Sequence, residues 1–124
     1  NVVNLVKGMS GFEELKKFAL IEINGNKVFS LFHSIENNEI GFIVVSPFYV
    51  KSDYEVNLSD DVIRKLKIKN QKDVAIINTV TLAKDVKEMT TNLGAPIIIN
   101  IKEHLGKQII ISDDEKFIKY PMIH

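Results

Sequence analysis

Residues 18–32, FALIEINGNKVFSLF, carry the clearest local signal for the fold of this chain. Two apolar runs, Phe18–Ile23 and Val28–Phe32, flank the dipeptide Asn24-Gly25. Asn-Gly tolerates the positive φ angles of a type I′ turn, which joins neighbouring antiparallel strands. We therefore predict a β-hairpin that turns at Asn24-Gly25.

Short apolar or β-branched runs predict further strands after this hairpin in the chain. These are Ile40–Ser46, which Pro47 stops; residues 53–58, where Tyr54, Val56 and Leu58 alternate with polar residues; Asp73–Leu82; Ile97–Ile101; and Gln108–Ser112, after a turn that contains Gly106. Only two short helices are predicted. Ser10 and Glu13 have the spacing of a capping box for a turn over residues 11–17, and Ser59 caps residues 60–66.

Many short strands without long intervening helices are typical of an all-β protein. We predict one domain over residues 1–124, a small antiparallel β-barrel-like or sandwich domain with one or two short helices. Asn78 falls on the apolar side of its predicted strand, between Ile76 and Val80. Because an unpaired buried amide is costly, we expect the Asn78 side chain to be buried and hydrogen-bonded.

Charge and composition exclude several classes of function. The chain has 16 basic and 16 acidic residues, and Arg64 is its only arginine. Phosphate neutralisation needs a basic surface, so direct nucleic-acid binding is disfavoured. The absence of cysteine excludes disulfides and thiolate chemistry and suits a reducing compartment. No apolar run approaches the roughly 20 residues of a membrane span, and no secretory signal is visible, so we expect a cytoplasmic protein.

No arrangement of residues predicts a catalytic, metal or cofactor site. The three histidines, His33, His104 and His124, lack metal-ligand spacing. The carboxylate pairs Asp53/Glu55, Asp60/Asp61 and Asp113/Asp114 fall on a strand face, a helix start and a strand exit, so their structural interpretation is favoured over a catalytic one. An enzyme would need a pocket of converging titratable groups, and an RNA-binding barrel would need a basic groove with stacking aromatics.

Two features favour a protein-binding function instead. The strands at residues 40–46, 97–101 and 109–111 are apolar on both faces. Either they lie at the centre of a two-layer fold, or some of Ile43, Val45, Ile98 and Ile110 face solvent and mark a partner surface. Three loop motifs also combine aromatic, acidic and amide residues: Ser46-Pro47-Phe48-Tyr49, Asp53-Tyr54-Glu55 and Thr91–Pro96. Aromatic residues held on rigid loops are common interface anchors.

An ordered set of segments resembles the flagellar assembly factor family FliW. The segments are Gly11–Glu14, Phe42–Phe48, Asp53–Val56, Ile77-Asn78 with Val80-Thr81, Asn92-Leu93 with Ala95–Asn100, and Gly106–Gln108. They follow the family's order with similar spacing from Gly11 to Pro121. Many members have a longer strand before the first of these segments, so the pairing of the first strand stays open.

The resemblance implies a small non-catalytic β-barrel with no cofactor and two alternative protein partners. One is flagellin. The other is CsrA, which represses flagellin translation and which the free FliW protein binds and antagonises. It further implies no direct contact with nucleic acid and a monomer when free. CsrA carries basic surfaces by family expectation, so we predict partner binding at Phe48, Tyr49, Asp53 and Glu55.

Overall fold

The computed structural model describes residues 1–123, which form nine β-strands and three short α-helices. The strands are β1 (Val2–Leu5), β2 (Lys17–Glu22), β3 (Phe29–Ser34), β4 (Gly41–Val45), β5 (Val74–Thr81), β6 (Thr90–Thr91), β7 (Ile97–Asn100), β8 (Leu105–Gln108) and β9 (Tyr120–Pro121). The helices are α1 (Pro47–Val50), α2 (Asp60–Lys65) and α3 (Glu115–Ile118).

Seven of the strands close into a barrel. They hydrogen-bond in the order β4-β3-β2-β1-β8-β7-β5, and the pairing of β4 with β5 completes the ring. The short strands β6 and β9 continue from the end of β5. The predicted all-β class is confirmed, with three short helices instead of one or two. The barrel is antiparallel except at β1 and β8, which pair in parallel. The first strand therefore lies between β2 and β8.

The predicted hairpin forms from β2 and β3, which residues 23–28 connect. Its turn lies at Asn24-Gly25, where the N–H of Asn26 donates to the carbonyl of Ile23 over 2.9 Å. Gly25 has a φ of +78°, whereas the φ of Asn24 is not positive. A positive φ at the second central position alone defines a type II turn, so the predicted type I′ geometry is wrong.

Packed aromatic rings lie in the barrel interior among aliphatic side chains. The rings of Phe18 and Phe32 are fully buried and stack in parallel with centroids 4.7 Å apart. The ring centroids of Phe42 and Phe18 lie 6.2 Å apart. Phe12 and Phe42 pack edge to face with their ring centroids 5.8 Å apart. Burial of several large apolar side chains at about 25 cal/mol per Å² makes this interior the main source of stability.

A second apolar layer lies outside the barrel, under α2. Ile98 points outward from β7 and packs with Val62 and Leu66, and all three are buried. Both faces of β7 are therefore covered, which explains its unbroken run of isoleucines. Val45 and Ile110 are two of the other strand residues expected to be either buried or part of a partner surface. Val45 is buried, whereas Ile110 is 68% exposed.

The helix at residues 60–66 is confirmed as α2. The hydroxyl oxygen of Ser59 accepts a hydrogen bond from the N–H of Val62 at 3.2 Å, which caps the first turn. Asp60 and Asp61 occupy the first turn, where the helix dipole favours negative charge. Lys67 ends the helix with a φ of +55°.

The helical turn predicted over residues 11–17 is absent from the structure. Gly11 has a φ of +85°, which a right-handed helix cannot accommodate. Two tight turns replace the helix, because the N–H of Phe12 donates to Met9 and the N–H of Leu15 donates to Phe12. The Glu13 carboxylate folds back and accepts a hydrogen bond from the N–H of Gly11 at 2.7 Å, so Glu13 stabilises a turn instead of a helix start.

Two predicted strands also need correction. Residues 53–58 alternate in burial as expected but pair with no described strand. The strand predicted over Gln108–Ser112 corresponds to β8, which begins earlier, at Leu105. Gly106 therefore lies within β8 and not in a turn. Residues 109–111 continue beyond β8 and run beside residues 94–96. The N–H of Ile109 donates to the carbonyl of Pro96, and the N–H of Ile111 donates to the carbonyl of Gly94.

Candidate functional site

The three loop motifs meet at one end of the barrel. Pro47 opens α1 directly after β4, and this helix buries Pro47 and Val50 while it exposes Phe48 and Tyr49. Phe48 is 47% exposed and Tyr49 is 65% exposed. Two neighbouring aromatic side chains on a proline-fixed turn form a surface that a partner protein can bury.

Tyr54 joins the three motifs. Its ring is buried and meets the edge of Phe48 with centroids 6.0 Å apart. Its hydroxyl donates a hydrogen bond to the carbonyl of Leu93 at 2.6 Å. Burial raises the pKa of the Tyr54 phenol, and the nearby Asn78 amide offsets part of that increase. Tyr54 therefore anchors the exposed residues around it, while Phe117 contacts its ring at 6.3 Å.

The two predicted acids differ in their surroundings. Asp53 and Glu55 are both exposed, as expected from the burial of Tyr54 between them. The Lys51 ammonium donates to the Asp53 carboxylate at 2.5 Å. This hydrogen bond and charge lower the pKa of Asp53 and raise the pKa of Lys51. Glu55 forms no ion pair with the described residues, so it is the more available carboxylate for a partner.

Asn78 is buried, as predicted, but only half of its amide is paired. Its side-chain nitrogen donates to the carbonyl of Asn92 at 2.7 Å. Its side-chain oxygen accepts no hydrogen bond within residues 1–123. The expected satisfaction of this amide is therefore confirmed for the nitrogen and wrong for the oxygen. Asn78 ties the Thr91–Pro96 motif to β5, which makes that motif a structural support because most of it is buried.

A groove of about 890 Å³ borders Phe48 along the start of β5. We call it the β5 groove; it is lined by Ser46, Phe48, Ile63 and residues 56–58, 68–71 and 74–76. Lys69 is the one charged residue in this lining. The groove was not predicted from the sequence, although a proline directly after a strand signals that strand pairing stops there.

The described residues contain no cluster that could hold a metal ion. His33 lies in β3 with its ring nitrogen 2.9 Å from the Ser34 carbonyl, and His104 is exposed in a turn with a φ of +58°. His124 lies outside the described residues. None of the helices in residues 1–123 is long and apolar enough to cross a membrane.

The family model described as FliW protein matches residues 1–122. This chain belongs to the FliW family. It is 73% identical over 124 residues to the flagellar assembly factor FliW of Clostridium acetobutylicum, covering all of this chain and 88% of that protein. It is 54% identical over 122 residues to the same-named protein of Clostridium novyi (strain NT), covering 98% of this chain and 85% of that protein.

The fold agrees with a crystal structure of the flagellar assembly factor FliW. The TM-score is 0.90 at 32% identity, over 98% of this chain and 84% of the other. The resemblance seen in the ordered motifs is thus confirmed at the level of sequence family and fold.

Proposed function

We propose that this chain is a cytoplasmic flagellar assembly factor that works by binding proteins, as a monomer when free. Its partners are flagellin and the translational repressor CsrA. The observation that carries the proposal is its 73% identity, over its whole length, to a protein named flagellar assembly factor FliW. That name describes a role in assembly and no chemical reaction.

The two partners give the protein a sensing role. While flagellin is abundant in the cell, it occupies the protein. Export of flagellin frees the protein, which then binds CsrA and relieves repression of flagellin synthesis. Such a switch requires that the two partners compete for the protein by mass action, so that occupancy follows each partner's concentration relative to its Kd, and it needs no catalysis.

The exposed residues around α1 suit this role. Phe48 and Tyr49 supply aromatic area at the end of the barrel, and Glu55, the residue after Tyr54, supplies an exposed carboxylate that forms no ion pair within residues 1–123. Carboxylates near an apolar anchor complement a basic partner such as CsrA and speed its association. We assign partner contacts to Phe48, Tyr49, Asp53 and Glu55 on this basis.

Direct binding measurements test the proposal. The purified protein is titrated separately with monomeric flagellin, with CsrA and with flagellin mRNA, and heat is recorded by calorimetry. We expect saturable binding of both proteins in the micromolar range or tighter, below about −8 kcal/mol, and no binding of the RNA. Binding of RNA with no response to either protein would overturn the proposal.

A further inference from the structure

One edge of β5 presents main-chain groups that no other strand of residues 1–123 pairs. The N–H of Ile101 donates to the carbonyl of Asp73 on the β7 side. Main-chain groups of successive residues in a strand point to alternate sides, so those of Ala75 and Ile77 also face β7. Val74 and Ile76 therefore point their main-chain groups to the opposite side, toward β4.

The pairing of β4 with β5 stops before it reaches these groups. Its register matches Val44 with Thr79 and Val45 with Asn78, and continuing it would place Pro47 opposite Ile76. Proline has no N–H to donate, and α1 turns the chain away at this point.

Three main-chain groups are left open as a result. The register with β4 ends at Asn78, and within residues 1–123 no turn, loop or side chain hydrogen-bonds to the N–H or carbonyl of Ile76 or to the carbonyl of Val74. The N–H of Val74 donates to the carbonyl of Gln71. Unpaired main-chain groups in a half-buried strand are rare in folded proteins. They lie where the β5 groove runs along the strand.

The segment on the far side of the groove does not fill this edge. Residues 56–58 line the groove, and the side chains of Val56 and Leu58 pack into the layer under α2 with Ile76. Their burial alternates as in a strand, yet they form no ladder with β5. The groove thus has an apolar floor, an open strand edge, and Lys69 at its rim.

We infer that the β5 groove binds an extended, apolar peptide segment with a carboxylate side chain, which adds to β5 as a further strand. An extended segment is required because a helix has already used its own main-chain groups and cannot pair with Ile76. Side chains on one face of the added strand enter the groove, and the carboxylate meets the Lys69 ammonium. This inference rests on the proposed function only in taking flagellin as the source of such a segment, because the basic surfaces expected of CsrA do not complement Lys69.

Amide hydrogen exchange at Ile76 tests strand addition directly. The probes are flagellin, CsrA and a short synthetic peptide that alternates valine and threonine around a central glutamate. Pairing slows exchange at Ile76 by about tenfold or more, while the amide of Ile77, which already faces β7, changes little. A copy of the peptide with every amide N-methylated has neither edge available for strand pairing and leaves exchange at Ile76 unchanged.

Charge reversal at the rim supplies a second measurement. Lys69→Glu weakens binding of the glutamate peptide by about fivefold. The matched control Lys72→Glu reverses a neighbouring exposed lysine outside the groove lining and changes binding less than about twofold. Equal effects of the two variants would overturn the role of Lys69.

The outcomes separate this inference from the proposed function. If neither flagellin nor CsrA binds, the proposed function fails. Exchange at Ile76 in the presence of the synthetic peptide still shows whether the β5 groove accepts an added strand. If a protein partner binds but neither it nor the peptide slows exchange at Ile76, strand addition is wrong and the proposed function stands.

Discussion

Phe48 is the residue on which the proposed interface most depends. Its ring is half exposed, but it also packs against Tyr54. We expect Phe48→Ala to weaken binding to at least one partner by about 2 kcal/mol or more and to raise its dissociation rate. Surface plasmon resonance measures both. Ile21→Ala, which truncates a similarly exposed side chain on β2, is the matched control and should leave binding unchanged.

Thermal melting decides between the interface and a purely structural role for Phe48. If Phe48→Ala lowers the melting temperature while affinities for flagellin and CsrA stay unchanged, the ring serves only to close the end of the barrel. Our placement of the interface would then be wrong.

The acids beside α1 should act mainly on the rate of association. We expect Asp53→Asn with Glu55→Gln to slow association with CsrA, chiefly at low salt, because exposed charges steer encounter and are screened by ions. Lys51 already neutralises Asp53, so Glu55→Gln alone should account for most of the change. Stopped-flow measurements at two salt concentrations test this. A slowing that is the same at both concentrations, or that Glu22→Gln on β2 reproduces, would contradict it.

Asn78 gives a stability prediction with a defined pH dependence. In Asn78→Asp a carboxyl group replaces the amide that donates to the Asn92 carbonyl. Burial raises the pKa of such a carboxyl, so the protonated form is favoured in the folded state and can still donate. The variant should be close to native stability below the unfolded-state pKa and lose about 2 kcal/mol or more at neutral pH. Urea unfolding at acidic and neutral pH measures this, and a loss independent of pH would contradict it.

At the scale of elements, α2 depends on its cap. The Ser59 hydroxyl accepts from the N–H of Val62, and α2 covers the apolar layer around Ile98. We expect Ser59→Ala to lower the free energy of unfolding by about 1 kcal/mol. Ser59→Asp keeps an acceptor at the same place and should retain most of the stability. Denaturant unfolding measures the free energy of unfolding of both variants. An equal decrease in Ser59→Ala and Ser59→Asp would contradict the role of the cap.

Local sequence patterns predict elements well where local forces decide them. The hairpin at Asn24-Gly25, β4, β5, β7 and α2 all follow from periodicity, turn residues and capping. The alternation at residues 53–58 predicts correctly which side chains are buried. It cannot predict that the neighbouring edge of β5 stays unpaired, because that depends on where Pro47 falls in the register of β4.

The displaced start of β8 has a similar non-local cause. The buried Asn100 side chain accepts hydrogen bonds from the N–H groups of Lys102 and Glu103 and donates to the carbonyls of Leu66 and Lys67. These bonds tighten the turn, so the chain reverses at once and β8 begins at Leu105. The sequence shows an asparagine at the end of a strand but not the helix end that it contacts.

At the scale of the whole molecule, the barrel presents the predicted site residues together. Phe48, Tyr49, Asp53 and Glu55 come from α1 and the segment after it. Tyr54 joins this segment to the barrel end, because its ring packs against Phe48 and its hydroxyl donates to the carbonyl of Leu93. The partners themselves come only from family resemblance, since no residue pattern specifies flagellin or CsrA. The β5 groove could not be predicted either, because it forms between segments that are distant in the chain.

A competition experiment tests the central claim most directly. A preformed complex of this protein with fluorescently labelled CsrA is titrated with monomeric flagellin, and the anisotropy of CsrA is followed. Two alternative partners that act as a switch predict that flagellin releases CsrA in a saturable way, and that removing flagellin restores the complex. No complex with CsrA at the outset, or a complex that flagellin leaves intact at saturation, would contradict the account.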